Sequence, residues 1–345
     1  MVRASRPYDI LIGRNIFDSF GDIIASYFSP RKAVIVTDET VFELYGKSLS
    51  DNLKKRKFNV KIFKIKPGEQ SKNIDNLTLL YDFLNNFGIT RNDFIIALGG
   101  GVVGDLAGFA AASFLRGISI VQIPTTLLAQ VDSSVGGKTA INFGGGKNLV
   151  GAFYNPSLVI CDADFLKTLR FSTFCDGMAE VLKYAVSFSA SLFEKIQDSK
   201  IDDILEEIIL QCIILKKNIV EIDENDFRER MKLNFGHTIA HAIEKYNKYE
   251  NITHGQAVSI GMVYILRQGE KFGLTKKGEA QKLINVLKKF RLPVEINIPH
   301  NDIFMNSLLD KKRRGNKMTV VVSPEIGQAH LLDLTLDEYK NFLLS

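Results

Sequence analysis

Three histidines give the first chemical signal. His237, His241 and His254 stand in apolar helical contexts, NFGHTIAHAIE and THGQAVSIGM, whereas His300 and His330 lie apart. Imidazoles grouped in this way invite a divalent metal ion. His237 and His241 are four residues apart and share a helix face. The residues between them, Thr238, Ile239 and Ala240, lack the glutamate of an HExxH metalloprotease, so peptide hydrolysis by that motif is disfavoured. A further ligand must come from elsewhere. Glu180, in DGMAEVLKY, lies on an otherwise apolar helix face, where an unpaired carboxylate is costly. One glutamate with two imidazoles leaves positions open for substrate hydroxyls, as a catalytic zinc requires. Any one histidine alone reads more simply as a hydrogen-bonded core residue; the three with Glu180 favour a metal.

Cations accompany this group. Lys183 follows Glu180 by one helical turn, Lys216 lies in ILKKN, and Arg230 and Asn234 precede His237 by seven and three residues. These spacings give a shared face. Spacing alone makes Lys216 and Lys217 a solvated surface, while Lys183 inside an apolar helix is harder to assign to solvent.

The stretch from Val131 to Phe153 adds Lys138, Lys147, Asp132 and six glycines in what reads as one compact loop region, suited to backbone wrapped around a phosphorylated ligand. It nearly matches a nucleotide-triphosphate loop. Gly137, Lys138 and Thr139 supply the GKT ending, but the first glycine of the motif falls on Asp132. An acid at that point argues against ATP and leaves the two lysines for a smaller anion.

Gly99, Gly101 and Gly104 satisfy GxGxxG directly after FIIALG and before LAGFAAASFL, so a pyrophosphate could lie on that helix N-terminus. The pattern also fits a plain strand-to-helix turn. Where a dinucleotide fold places its ribose-binding acid, about 20 residues on, the chain reads IPTT. Asp38, closing KAVIVTD, is a substitute, either as a ribose acceptor or as a helix cap.

These groups need elements to hold them. From Lys32 to about Asp162 the runs AVIVTD, NVKIFKI, FIIALGG, SIVQIP and LVICD alternate with helical segments, which is a parallel α/β layout. Beyond Asp164 amphipathic segments take over: Asp176 to Gln197, Asp202 to Ile222, Leu233 to Lys248, Gln256 to Phe272 and Glu279 to Phe290. The expected fold is an α/β N-terminal domain with a Rossmann-like parallel sheet, residues 1–163, followed by a mainly α-helical metal- and substrate-binding domain, residues 164–345. Met318 to Val322 and Ala329 to Leu332 are expected to pair as a small hairpin. The expected place for chemistry is a cleft between the domains.

Composition removes other classes. A chain of 345 residues is long enough for two cores, since single domains stop growing near ~250–300 residues. Its 44 basic and 39 acidic residues give only +5, scattered except at Lys311 to Arg314, so no nucleic-acid partner is expected. Cys161, Cys175 and Cys212, odd in number and widely spaced, suit reduced thiols in a cytoplasmic protein. The segment MVRASRPYDILIG lacks the apolar core of a secretory signal, and the most apolar stretch, Phe94 to Leu115, contains Asp105 and five glycines. No membrane span is expected.

Taken together, GGGVVGDLAGFAAASFLRG, QIPTTLLAQVDSSVGGKTAIN, GKNLVGAFYNP, GMAEVLKY, NFGHTIAHAIE and HGQAVSIGM closely resemble the 3-dehydroquinate synthase family in order and spacing, from about Val34 to Lys312. The resemblance implies an NAD-binding first domain of the kind shared with glycerol dehydrogenases, a helical metal-binding domain, and a homodimer. On matching motifs it implies Glu180, His237 and His254 as ligands of zinc, which cobalt can replace, with His241 a substrate neighbour. NAD contacts would fall on Pro67 to Lys72, especially Glu69 and Lys72, and on Gly101, Val102, Val103, Gly104 and Asp105. Thr125, Thr126, Lys138, Lys147, Phe165, Leu166, Lys167 and Thr168 would complete them, with Asp38 as ribose partner. The implied substrate set is Asp132, Lys138, Asn148, Lys183, Lys216, Arg230, Asn234, His241 and one of Lys311 or Lys312. Arg116, in FLRG, matches the arginine that reaches the phosphate from the neighbouring subunit. Arg228 competes with Arg230, and only the spacing to His237 favours the latter.

The implied substrate is the sugar phosphate 3-deoxy-D-arabino-heptulosonate 7-phosphate. Its conversion runs through transient oxidation at C5, loss of the C6 proton, phosphate elimination, re-reduction and an intramolecular aldol closure, so NAD is catalytic rather than consumed. Two departures from the family pattern stand out: Gln256 follows HG where glutamate is common, which would bear on the surroundings of His254, and INFGGGKN lacks a proline before GKN. Another sugar-phosphate cyclase is the nearer alternative, although its substrate lacks a carboxylate. A glycerol dehydrogenase-like alcohol dehydrogenase is the further one, and its neutral substrate leaves the array of lysines and Arg230 unexplained.

Overall fold

Short β-branched runs become parallel strands when helices can cover both faces of the sheet. The computed structural model, which describes residues 1–308, 313–314 and 317–345, forms two units, Met1–Leu169 and Arg170–Ser345. The first contains β1 (Asp9–Gly13), β2 (Lys32–Asp38), β3 (Asn59–Ile65), β4 (Phe94–Gly99), β5 (Ser119–Pro124), β6 (Lys138–Phe143), β7 (Gly146–Phe153) and β8 (Leu158–Asp162). Six of these make one sheet, ordered β1-β8-β5-β4-β2-β3, with every neighbouring pair parallel. The order turns back at β2, which has β3 on one side and β4 on the other. Ligands of open α/β sheets bind at the carboxyl ends of strands at such a point. Thr37 pairs with Leu98, so Asp38 and Gly99 come next, side by side, at those ends.

Alternation builds two apolar layers. Ala33, Ile35, Phe94, Ile96 and Leu98 pack against α1 (Phe20–Tyr27), the single turn α2 (Glu39–Val41) and α3 (Lys47–Lys55). Val34, Val36, Ile95 and Ala97 face α4 (Ile74–Asn86) and α5 (Gly101–Ser113) through Leu77, Leu80, Leu106 and Ala110.

Two expectations change here. Asp9–Gly13, read only for its lack of a signal, is a strand paired with β8. Val131–Phe153 is not one loop: a π-helical turn, Ala129–Ser133, leads into the antiparallel hairpin β6–β7, reversed through Gly144 and Gly145 at positive φ. Lys138 therefore opens a strand. A nucleotide-triphosphate loop must feed a helix N-terminus, so geometry excludes it as well.

The second unit is helical, as its periodicity predicts. It holds α6 (Phe171–Phe188), α7 (Ala190–Asp198), α8 (Ile201–Ile222), α9 (His237–Tyr246), α10 (His254–Lys271), α11 (Glu279–Lys289), α12 (His300–Ser307) and α13 (Leu336–Leu344). The single helix expected over Asp176 to Gln197 is two, because Ser189 leaves helical geometry and its hydroxyl caps α7 by accepting from the Leu192 amide. β9 (Arg313–Arg314), β10 (Lys317–Val322) and β11 (His330–Thr335) form an antiparallel sheet that contains the expected hairpin. Among the described residues no helix is long and apolar enough to cross a membrane.

Candidate active site

The buried stretch of α6 from Gly177 to Ser187 carries Glu180 and Lys183 on one face. His237 opens α9 immediately after Gly236, whose φ is 75°. A Cβ there would come within 2.7 Å of the Met262 amide nitrogen, so glycine is what allows α9 to start against α10. His254 opens α10, whose start is fixed by a capping box between Thr253 and Gln256.

Nε2 of His237 and Nε2 of His254 each lie 3.4 Å from Oε1 of Glu180. One ligand atom from each residue can be chosen so that all lie within 4.8 Å of one another. Donors about 2.0–2.1 Å from a tetrahedral zinc sit about 3.3–3.4 Å apart, which is the spacing found around Glu180. Both oxygens of Glu180 are buried without a hydrogen bond, although Nζ of Lys183 stands 2.5 Å from Oε2. A carboxylate so placed calls for more positive charge. The donor set of one carboxylate and two imidazoles suits zinc or cobalt, and these residues fit such an ion.

Electrostatics divides the two imidazoles. Burial pushes His237 down to about 4, against the pull of Glu180. Burial acts on His254 in the same sense, but the nearby Glu180 carboxylate and a hydrogen bond to Glu244 drive it up to about 10. For Glu180, burial opposes ionisation and is outweighed by Lys183 and His237, which hold the carboxyl well below its ordinary value.

The outer ring nitrogens have their own partners. Nδ1 of His237 is 3.1 Å from the Phe235 carbonyl oxygen, and Nδ1 of His254 is 3.4 Å from Oε1 of Glu244. Sequence reasoning missed Glu244. Its signal was present, since His237, His241 and Glu244 recur at helical spacing on one face. Gln256, expected to bear on His254, instead closes the capping box, its Oε1 accepting from the Thr253 amide at 3.0 Å. The His241 ring lies edge-on to His237 at 5.6 Å and 6.5 Å from His254, beside the three-ligand cluster.

Lys216, expected at a solvated surface, is buried on α8. Structure also separates the competing arginines. Arg230 is 1% exposed and donates from Nη1 to the Glu224 carbonyl at 2.5 Å, whereas the side chain of Arg228 is 64% exposed and pairs with Asp333 at 3.5 Å. Asp223 accepts from the amides of Phe227, Arg228 and Arg230, which shapes the approach to the 3-10 segment Glu229–Asn234. That segment packs on α6 and α8 and ends at the half-buried Asn234. Lys311 and Lys312 lie outside the described residues.

In the first unit, Gly100 caps α5 with no side chain, which leaves the first amides of that helix, from Gly101 to Val103, without a side-chain acceptor. Thr125 donates its amide to the Gly99 carbonyl at 3.0 Å, and its buried hydroxyl has no hydrogen-bond partner. An uncapped helix start beside an orphaned hydroxyl fits a dinucleotide pyrophosphate. Asp38 does cap α2, accepting from the Val41 amide at 3.0 Å, and burial raises its carboxyl. Nζ of Lys72 lies 3.0 Å from both Glu69 Oε1 and Asp105 Oδ2; burial opposes its charge, but the two carboxylates more than offset this.

Asn142, which sequence reasoning missed, ties this group to the hairpin. It donates from Nδ2 to Glu69 Oε1 at 2.9 Å and from its amide to the Lys72 carbonyl at 2.8 Å, while its Oδ1 accepts from the Asn148 amide at 2.9 Å. Lys147 is half-buried beside Asn148, Lys138 is exposed on β6, Asp132 is in the π-helical turn, and the Thr126 hydroxyl accepts from the Ala129 amide. Val102 and Gly104 lie within the first turn and a half of α5. Arg116 is exposed at a φ of 64°, following Leu115 at 50°. Phe165 and Leu166 are buried, with Phe165 packed among Phe17, Phe20 and Tyr45, so those two side chains serve the core. Lys167 pairs with Asp164 at 2.8 Å, and the Thr168 and Tyr45 hydroxyls lie 2.8 Å apart. Asp162 anchors this turn, accepting from the amides of Asn15, Ile16, Phe17 and Asp164.

Residues 62–176 match the family described as 3-dehydroquinate synthase N-terminal, and residues 177–313 match 3-dehydroquinate synthase C-terminal. The chain is 46% identical to the 3-dehydroquinate synthase of Clostridium acetobutylicum over 99% of its own length and 98% of the relative's. Among solved structures it is similar to the 2-epi-5-epi-valiolone synthase of Streptomyces hygroscopicus with NAD+ and Zn2+ bound, with a TM-score of 0.89, 26% identity and coverage of 100% and 98% of the two chains. It is also similar to a 2-deoxy-scyllo-inosose synthase complexed with carbaglucose-6-phosphate, NAD+ and Co2+, with a TM-score of 0.87, 25% identity and coverage of 99% and 97%. Both halves of the sequence and nearly its whole length thus point the same way, and the chain belongs to the 3-dehydroquinate synthase family.

Proposed function

We propose that the chain converts 3-deoxy-D-arabino-heptulosonate 7-phosphate to 3-dehydroquinate and phosphate, using NAD and a zinc or cobalt ion. The observation that carries this reading is the cluster of Glu180, His237 and His254 with Lys183 beside it, in a chain of this family. The cofactors of the two solved relatives support the same choice here. When bound, NAD supplies reversible oxidation at C5 and the ion supplies Lewis acidity toward the neighbouring hydroxyl oxygens.

The residues divide the remaining work. Gly101 to Asp105 and Thr125 hold the pyrophosphate, Asp38 the ribose, and the Glu69–Lys72 group the cofactor's flank. Lys183, Lys216, Arg230, Asn234 and one of Lys311 or Lys312 bind the carboxylate and hydroxyls, with Asp132 orienting the substrate. A ketone at C5 acidifies the C6 proton; as that proton leaves, the bond from C7 to the phosphate oxygen breaks. The departing phosphate, held by Lys138, Asn148 and the Arg116 of a second subunit, takes the proton. His241 moves protons during the aldol closure. Lys216 and Arg230, at 4% and 1% exposure, are buried cations of the kind that an anionic substrate would meet, which favours such a substrate over a neutral one. The higher identity to a dehydroquinate synthase, 46% against 25–26% for the other cyclases, supports this substrate over theirs.

The same reading includes a cytoplasmic homodimer. Exposed Phe143, Leu149, Val150 and Phe153 on the β6–β7 hairpin supply apolar surface for a subunit contact, and three buried free cysteines suit a reducing compartment. The test is to incubate the protein with the heptulosonate phosphate, catalytic NAD+ and Zn2+ or Co2+, following phosphate and absorbance at 340 nm. Phosphate and dehydroquinate with no net NADH are expected; stoichiometric NADH would identify an alcohol dehydrogenase instead.

A further inference from the structure

Glu244 stands in the last turn of α9 and is buried. Its carbonyl oxygen accepts from the Tyr249 amide at 2.7 Å, closing a chain reversal in which Lys248 and Tyr249 both have positive φ, 53° and 61°. That reversal leads the chain back to His254, whose Nδ1 comes to 3.4 Å from Glu244 Oε1 while its Nε2 faces Glu180. A single residue thus shapes the return of the backbone and receives the imidazole that the backbone delivers. His237 meets only a neutral carbonyl, that of Phe235, at the equivalent ring nitrogen. Donating the Nδ1 proton leaves the lone pair on Nε2 and fixes the plane of the ring, and a carboxylate acceptor makes the ring a stronger donor than a carbonyl does.

We propose that Glu244 is a positioning residue for the metal: it accepts the Nδ1 proton of His254, selects the tautomer that presents Nε2 to the ion, and makes His254 the stronger of the two imidazole donors. This rests on the metal reading above and extends it to a residue that touches neither ion nor substrate. The test uses the full chain and two readouts, Zn2+ affinity by competition with a chromogenic chelator and the visible spectrum of the Co2+-loaded protein. Glu244→Gln keeps an acceptor but loses the charge, and is expected to weaken Zn2+ binding about tenfold; Glu244→Ala is expected to weaken it about a hundredfold. Both variants should shift the Co2+ bands while the circular dichroism of the metal-free protein is unchanged. Wild-type affinity and an unaltered Co2+ spectrum in Glu244→Gln and Glu244→Ala would overturn the proposal; if the alanine variant fails to fold, the glutamine variant decides by the same readouts. A parallel Glu180→Gln separates the two ideas. Loss of Zn2+ binding there with normal binding in the Glu244 variants removes only the role of Glu244, whereas normal binding in all of them removes the metal reading itself.

Discussion

Nζ of Lys183 lies 2.5 Å from Oε2 of Glu180, and both side chains are 2% exposed. The lysine balances a carboxylate whose other oxygen faces two imidazoles. Removing one partner of a buried pair costs about 3–5 kcal/mol, because the remaining charge is left uncompensated. A metal ion on the far side of the carboxylate would offset much of that loss. Lys183→Met should therefore lower the melting temperature of metal-free protein markedly and that of Zn2+-loaded protein much less. Equal losses in both forms would mean that no ion shares Glu180.

Glu180→Gln should purify with little bound metal and lose turnover by about a hundredfold or more, with its far-ultraviolet circular dichroism retained. Metal analysis of the purified variant provides the check. Wild-type metal content with unchanged activity would remove Glu180 from the coordination sphere.

Metal uptake should release close to one proton at about pH 7.5. His254 is raised from 6.5 to about 10, so in metal-free protein it is charged at neutral pH and must lose a proton to coordinate. His237, lowered to about 4, is already neutral. Affinity should consequently rise with pH until about pH 10 and level off beyond it. Titration calorimetry in buffers of different ionisation heat measures the release, and a value near zero contradicts the assignment.

Thr125→Val separates binding from folding. The Thr125 hydroxyl is buried without a hydrogen-bond partner, so its loss should leave stability unchanged or slightly improved. If that hydroxyl meets the dinucleotide, NAD+ affinity should fall about three- to tenfold, the range expected for one neutral hydrogen bond. Equilibrium NAD+ binding with unfolding curves on the same sample would read both. A stability loss with normal NAD+ affinity would make Thr125 a folding residue only.

Arg230→Ala should depress kcat/KM by about a hundredfold, in line with loss of a charge-assisted hydrogen bond, while Arg228→Ala should stay within about twofold. Only the first guanidinium is buried at the turn before His237; the second is at the surface beside Asp333. Steady-state kinetics of the two variants decides, and equal effects would undo the distinction.

Patterns that depend on one element were readable from the chain. The parallel strands Lys32–Asp38, Asn59–Ile65, Phe94–Gly99, Ser119–Pro124 and Leu158–Asp162 follow from β-branched runs, and most of the helices follow from apolar periodicity. Glu180, His237 and His254 came together as the family resemblance implied. What escaped depends on a partner distant in sequence. Asp9–Gly13 resembles an ordinary short apolar segment until β8 is placed beside it. Six glycines between Val131 and Phe153 gave that stretch the composition of a loop, yet Lys138–Phe143 and Gly146–Phe153 pair because their backbones can meet across Gly144 and Gly145. Lys216 shares the sequence ILKKN with Lys217, and only the orientation of α8 decides which lysine is buried. Glu244 shares a helix face with His237 and His241, but a glutamate near a helix end ordinarily faces water, so spacing alone did not single it out.

The fastening of Asp162 to the amides of Asn15, Ile16 and Phe17 joins positions up to 147 residues apart. During synthesis β1 emerges long before β8 exists to receive it, so its pairing must wait until β8 has been made. Closing so long a loop is entropically slow. The first strand of the sheet in sequence thus depends on one made much later, and the carboxylate of Asp162 is the clasp that joins the two ends of this unit.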